Sequence, residues 1–146
     1  MISGPVVVDA SVAVELLVDL GLADAADRFW ARVLGTDSAR VEPWAPDLIF
    51  AETTSALRKL VLRGEIPAAA GVRAVDQLAR LPIQVAGTAR FMRDAWRLRE
   101  SLTPYDACYV LLAQHLSAPL VTTDDHLVRS RSRSKDRVLH LAEVSS

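Results

Sequence analysis

The sequence predicts a three-layer α/β/α domain built on a mostly parallel central sheet. Two short apolar runs carry that prediction. One is Val6-Val7-Val8, which leads straight into Asp9-Ala10-Ser11; the other is Leu120-Val121, introduced by Pro119 and followed by Thr122-Thr123-Asp124-Asp125. Unbroken β-branched runs suit strands covered on both faces, as in a parallel sheet. A third observation agrees: strand-like runs alternate with helical ones along the chain, and no hairpin signal joins neighbours.

In chain order, the strand at Val6–Val8 is followed by a helix over Ser11-Val12-Ala13-Val14-Glu15-Leu16-Leu17. Leu22, Ala25, Ala26, Phe29, Trp30 and Val33 recur at helical spacing, so a second helix is expected from Leu22 to Leu34, ending near Gly35. Pro43 and Pro46 bracket Trp44-Ala45, read as a short strand. A long helix from Asp47 to Arg63 carries Leu48, Ile49, Ala51, Glu52, Ala56, Leu57, Leu60 and Val61 on its inner side, and Gly64 stops it. Pro67 opens a further helix through Ala79, and Pro82 leads to a strand at Ile83-Gln84-Val85. Thr88 to Leu98 reads as one helix with Phe91, Ala95 and Leu98 inward and Arg90, Arg93 and Arg97 on another side. Thr103-Pro104-Tyr105-Asp106 offers an N-cap threonine, a proline at the first position and an early acid, ahead of an almost wholly apolar central helix to Leu116. Arg129 to Arg137 alternates basic residues with serine and reads as an exposed loop before a last edge strand at Val138–Leu141.

At 146 residues the chain is expected to form a single domain, 1–146, and its 51% apolar and 24% charged content argues against disorder. No apolar run approaches the ~18 residues of a membrane span, and Met1-Ile2-Ser3-Gly4-Pro5 lacks a basic signal region, so a cytoplasmic protein with no membrane partner is expected. The lone Cys108 lies in an apolar helix and reads as packing. Net charge is −1, which excludes a global basic field. All but Lys59 and Lys135 of the 17 basic residues are arginine, a bias that also follows from an Arg-rich genome.

Four carboxylates carry the chemical signal. Asp9 and Asp124 follow strands, Glu52 lies in the first turns of the long helix, and Asp106 stands at a helix start. Singly, Asp9, Asp106 and Asp124 also read as helix caps, and Glu52 as a partly exposed surface acid. Together they occupy the carboxyl edge of a parallel sheet, where ligands bind in folds of this class. Carboxylates within reach of one another repel unless protons or cations intervene. Oxygen-only ligands favour Mg²⁺ or Mn²⁺, and His115, His126 and His140 lack the spacing of a zinc site. Dinucleotide-binding, P-loop, HExxH and nucleophile-elbow motifs are absent. A receiver domain would need a second acid beside the first strand, and Asp9-Ala10-Ser11 breaks the D-x-D of haloacid-type phosphatases.

Four short motifs in order, Val6-Val7-Val8-Asp9-Ala10-Ser11, Pro46-Asp47-Leu48-Ile49-Phe50-Ala51-Glu52, Thr103-Pro104-Tyr105-Asp106-Ala107 and Leu120-Val121-Thr122-Thr123-Asp124, resemble those of the PIN-domain ribonucleases, in particular the VapC toxins of bacterial type II toxin–antitoxin pairs. The resemblance implies a metal-dependent endoribonuclease in which Asp9, Glu52, Asp106 and Asp124 hold Mg²⁺ or Mn²⁺, with Ser11 and Thr122 or Thr123 as supporting hydroxyls. Asp9 and Asp106 are the first choices as direct ligands; the role of Asp125 is open. It also implies a homodimer, a cognate VapB-like antitoxin along the active-site groove, and an RNA substrate. Arg129, Arg131 and Arg133 are then candidate RNA contacts, with Arg90, Arg93 and Arg97 as a second stripe; the bland reading of both is solvated surface. Leu16, Leu17 and Trp30 read equally as antitoxin contacts or as core. The alternative is a catalytically inactive PIN-like module that binds RNA or protein, with a receiver or phosphatase module ranked below it.

Overall fold

In the computed structural model, residues 2–145 are described. Five strands form one all-parallel sheet in the order β3-β2-β1-β4-β5. The strands are β1 (Gly4–Val8), β2 (Val41–Pro46), β3 (Gln84–Ala86), β4 (Leu120–Thr122) and β5 (Val138–His140). Eight helices connect and cover them: α1 (Ala10–Leu17), α2 (Ala23–Val33), α3 (Ile49–Leu62), α4 (Ala68–Leu78), α5 (Met92–Arg97), α6 (Pro104–Leu116), α7 (Asp125–Ser130) and α8 (Leu141–Val144). The result is the expected three-layer α/β/α arrangement.

β1 lies at the centre, and Val6, Val7 and Val8 are fully buried, as an apolar run covered on both faces must be. Its register pairs Val7 with Trp44 of β2 on one side and with Leu120 of β4 on the other. α6 packs on β1, β2 and β4, and Tyr109, Val110 and Leu112 are buried in the core there. This explains why the sequence of α6 is apolar nearly all round.

The chain runs from β1 out to β2 and β3 and then crosses to the other side of β1 to form β4. The strand order therefore switches between β1 and β4, the position at which a crevice opens beyond the strand ends. The backbone amide of Asp9 donates to Val121 O at 3.0 Å, so the ends of β1 and β4 are joined there.

Three features differ from the sequence reading. β2 is six residues long and contains both prolines. The ladder from β1 ends at Trp44, ahead of Pro46, and the ladder to β3 begins at Trp44, after Pro43, so each proline lies where one neighbouring ladder is missing. The helix expected from Thr88 to Leu98 is broken: a 3₁₀ turn over Ala89–Phe91 precedes α5 and places Phe91 edge-on to His115 of α6, with ring centroids 6.3 Å apart. The stretch read as an exposed loop begins inside α7, and its remainder is anchored. Asp136 accepts from Gln114 Nε2 at 2.7 Å, from Arg131 Nε at 2.9 Å and from Ser134 Oγ at 3.1 Å, and it is paired with Arg131 Nη2 as well. Although burial opposes it, these partners hold the Asp136 carboxyl below the usual carboxylate range. Of the residues that read equally as antitoxin contacts or core, Trp30 is core, edge-on to Phe29 at 5.6 Å, and Leu16 and Leu17 are only partly exposed.

Candidate active site at the carboxyl edge of the sheet

Asp9 is the residue immediately after β1 and the N-cap of α1, with extended backbone angles (φ −77°, ψ 156°). Its Oδ1 accepts the Ala10 amide at 2.8 Å. Its Oδ2 accepts two hydroxyls, Ser11 Oγ and Thr122 Oγ1, each at 2.8 Å. Those hydroxyls in turn accept backbone amides of the loop after β4: Ser11 Oγ takes Thr123 N and Thr122 Oγ1 takes Asp124 N, both at 3.0 Å. The capping reading of Asp9 is thus borne out. One carboxylate oxygen caps the helix and the other is gripped by Ser11 in the first turn of α1 and Thr122 at the end of β4. Thr123 joins the network through its amide.

Asp124 caps α7, its Oδ1 accepting from His126 N at 2.9 Å and Leu127 N at 3.3 Å. Asp106 lies in the first turn of α6, where Thr103 Oγ1 accepts its amide at 3.1 Å, the cap expected from the Thr-Pro start. Glu52 lies in the first turn of α3, and its Oε1 accepts from the hydroxyl of Tyr109 at 2.8 Å. Sequence reasoning missed Tyr109. The available signal is its spacing: three residues after Asp106 on one helix, it shares that acid's side.

The structure brings the four acids into one electrostatic unit. Burial pushes the Asp9 carboxyl up; hydrogen bonds from Thr122, Ser11 and Ala10 oppose this, and the charge of Asp124 adds to it. Burial likewise raises Glu52, opposed by the Tyr109 hydroxyl and reinforced by Asp9 and Asp106. Burial raises Asp106, and the charges of Asp9 and Asp124 push in the same direction. The Tyr109 hydroxyl is raised far above its ordinary value, first by burial and then by Asp9 and Glu52, so it stays a donor. Among the described residues, no ion pair joins any of the four acids to an arginine or lysine. Nor are any three His, Cys, Asp or Glu side chains among them already gathered tightly enough to hold a metal ion.

The remaining candidates separate. Asp125 is exposed and 3.9 Å from His140 Nε2, away from the Asp9 network. Arg129 and Arg133 are exposed, whereas Arg131 is half-buried and paired with Asp136 through Nε and Nη2. Arg90, Arg93 and Arg97 are exposed, with Arg97 paired to Asp94 at 3.1 Å.

The raised carboxyls predict a pH dependence of stability. Where the native pKa exceeds the unfolded one, the native state binds more protons, so stability falls as pH rises through the native values. Without divalent cations, Tm is therefore expected to decline as pH rises above the ordinary carboxylate range, and Asp106→Asn is expected to reduce that decline. Equal slopes for the two proteins in thermal melts would contradict the coupling.

A parallel sheet with acids gathered at its carboxyl edge, at the strand switch, defines the class of protein. Residues 6–131 match the PIN domain, and the chain belongs to the PIN-domain family. Within that family its relatives include VapC ribonucleases. It is 34% identical over 119 residues to VapC ribonuclease Mb0985 of Mycobacterium bovis, covering 82% of this chain and 85% of that protein. Ribonuclease VapC3 of Mycobacterium tuberculosis is 34% identical over 125 residues, 86% of each chain, and ribonuclease VapC12 of the same species 32% identical over 131 residues, 90% and 95%. PAE2754 from Pyrobaculum aerophilum shares the fold, with a TM-score of 0.70 over 99% of this chain and 96% of that one at 22% identity. So does M. tuberculosis VapC20, a sarcin-ricin loop cleaving toxin, with a TM-score of 0.64 over 86% and 94% at 15% identity.

Proposed function

We propose that this chain is a Mg²⁺- or Mn²⁺-dependent endoribonuclease, the toxin of a toxin–antitoxin pair, that hydrolyses RNA phosphodiester bonds at Asp9, Glu52, Asp106 and Asp124. The observation that carries this reading is that three partly buried carboxylates, Asp9, Glu52 and Asp106, repel one another and the exposed Asp124, with no arginine or lysine among the described residues paired to any of the four. Such a set is stabilised by a cation. Mg²⁺ keeps several waters and needs only one or two protein carboxylates, so a tight cage of three is not required, and the all-oxygen donor set fits it.

The hydrogen bonds support a distinct part for each residue. Asp9 has about four lone-pair positions. Ala10, Ser11 and Thr122 occupy three of them, which leaves one on Oδ1 and makes Asp9 a single-oxygen ligand. Asp106 is the second ligand. Glu52, with one oxygen held by Tyr109, and Asp124, with Oδ1 committed to α7, act as ligands or orient the attacking water. When bound, the ion activates water and neutralises the charge that develops as a phosphodiester is attacked in line. Ser11 and Thr122 keep the Asp9 carboxylate in one orientation throughout.

Arg129 and Arg133 are the contacts proposed for the RNA backbone. Neutralising both should flatten the dependence of log K on log salt by up to roughly 1.4, since each single-strand phosphate that an arginine neutralises contributes about 0.7 to the slope. RNA binding titrated at several salt concentrations in an Asp106→Asn background measures this; an unchanged slope returns both arginines to solvated surface. A protein partner is supported by the apolar groove between α3 and α4, a space of about 390 Å³ lined by Leu57, Val61, Leu62, Val72 and Val75. We take that partner to be a VapB-like antitoxin, and the chain to act in the cytoplasm as a homodimer.

The test of the reading is cleavage of a mixed cellular RNA pool by purified, antitoxin-free protein in Mg²⁺, Mn²⁺ or EDTA. Cutting that requires the metal is expected, with no 2′,3′-cyclic phosphate ends because water is the nucleophile. Intact RNA under both metals would favour the binding-module alternative.

A further inference from the structure

Resting on that nuclease reading, we infer that Tyr109 is a positioning residue: its hydroxyl fixes the Glu52 carboxylate so that one oxygen faces α6 and the other is presented to the acidic crevice. Tyr109 is 1% exposed, and its ring is part of the hydrophobic core. It lies on α6 three residues beyond Asp106, while Glu52 enters from α3, so the 2.8 Å bond joins two acid-bearing helices inside the site. A buried phenol on an apolar helix has one strong donor to satisfy, and that donor goes to Glu52 Oε1.

The chemistry explains why a tyrosine suits this place. Glutamate is among the most rotamer-rich side chains, and the start of α3 is partly exposed, so Glu52 alone would sample several orientations. The rigid ring is locked by the core and delivers a neutral donor at a set point. A lysine or arginine there would compete with a divalent cation for the same carboxylate; a phenol leaves the negative charge in place. Partners that orient a ligating group in this way typically alter metal affinity or activity by about 10–100-fold when removed.

The test is Tyr109→Phe, which keeps the ring and removes one oxygen. Mn²⁺ affinity is expected to fall by about 10-fold and kcat by about 10–100-fold, with KM for RNA within about 2-fold of wild type. In a Glu52→Ala background, Tyr109→Phe should produce no further loss of Mn²⁺ affinity, because it acts through Glu52. Unchanged Mn²⁺ affinity and kcat, or an equal loss with and without Glu52, would overturn the inference. A second measurement leaves the hydroxyl in place. In a Tyr105→Phe background, 3-fluorotyrosine labels Tyr109 alone, and its ¹⁹F resonance should move on Mg²⁺ addition; that movement should vanish with Glu52→Ala. A resonance indifferent to Mg²⁺ in a protein that cleaves RNA overturns the role of Tyr109 and spares the nuclease reading. Wild-type protein that neither binds Mn²⁺ nor cleaves RNA overturns both.

Discussion

Asp9→Asn and Asp106→Asn are each expected to lower metal-dependent RNA cleavage by at least about 10³-fold while leaving the chain folded. Each removes one charge from a set whose members act on one another, and each leaves a side chain of nearly the same size. The two differ in their effect on stability. Asp106 carries a burial cost for its charge, and its backbone amide, which Thr103 caps, is unaffected by the substitution. Asp106→Asn should therefore raise the Tm of cation-free protein. Asp9 also accepts three hydrogen bonds on its two oxygens, and an asparagine, with a single accepting oxygen, cannot serve both the Ala10 amide and the Ser11 and Thr122 hydroxyls, so Asp9→Asn should gain little or lose. Cleavage assays beside thermal melts check both statements. A cleavage-dead Asp106→Asn with a lowered Tm would mean that the charge at Asp106 is structurally favourable, contrary to the mutual repulsion of the four acids.

Thr122→Val should damage both stability and catalysis, and Thr123→Val should damage neither appreciably. Thr122 is completely buried at the end of β4, and valine matches its volume and suits a strand. The substitution leaves no cavity but removes a donor to Asp9 Oδ2 and strands the amide of Asp124. An unsatisfied buried donor costs about 1–3 kcal/mol, several degrees in Tm. The loosened Asp9 should reduce cleavage by about 10–100-fold. Thr123 contributes its backbone amide, which valine retains. Equal effects at the two positions would show that the hydroxyl of Thr122 does not orient Asp9.

The legibility of this fold in its sequence follows the strength of the local signals. Val6–Val8 and Leu120–Val121 are short, apolar and followed by polar residues, and both are strands whose ends meet. Thr103 and Pro104 start α6 as capping rules require. Pro43 and Pro46 misled because strand rules assume two complete ladders, and each of these prolines has only one. The Arg-Ser stretch is exposed over most of its length as read, but its start inside α7 and its anchoring were not legible, because one anchor, Gln114 on α6, is distant in sequence from Asp136. At the site, the acids were visible because strand ends and helix starts share one edge of a parallel sheet. The resemblance names Ser11 and Thr122 or Thr123 as supporting hydroxyls, but that Thr122 and not Thr123 joins Ser11 on a single oxygen of Asp9 was not legible, since that bond spans 113 residues of chain. Tyr109 was hidden for a related reason: on an apolar helix, a tyrosine looks like core until its partner on α3 is known.

The most direct measurement is calorimetric titration of cation-free protein with Mn²⁺ in two buffers of different ionisation enthalpy, for wild type and Asp9→Asn. Raised carboxyl pKa values mean that a cation entering the crevice displaces protons. Saturable binding to wild type is predicted, with proton release that increases as pH is lowered from neutrality toward the ordinary carboxylate range and with both signals lost in Asp9→Asn. Equal binding by the two proteins, or no binding by a wild-type protein that still cleaves RNA, would contradict the assignment of these carboxylates as the cation site.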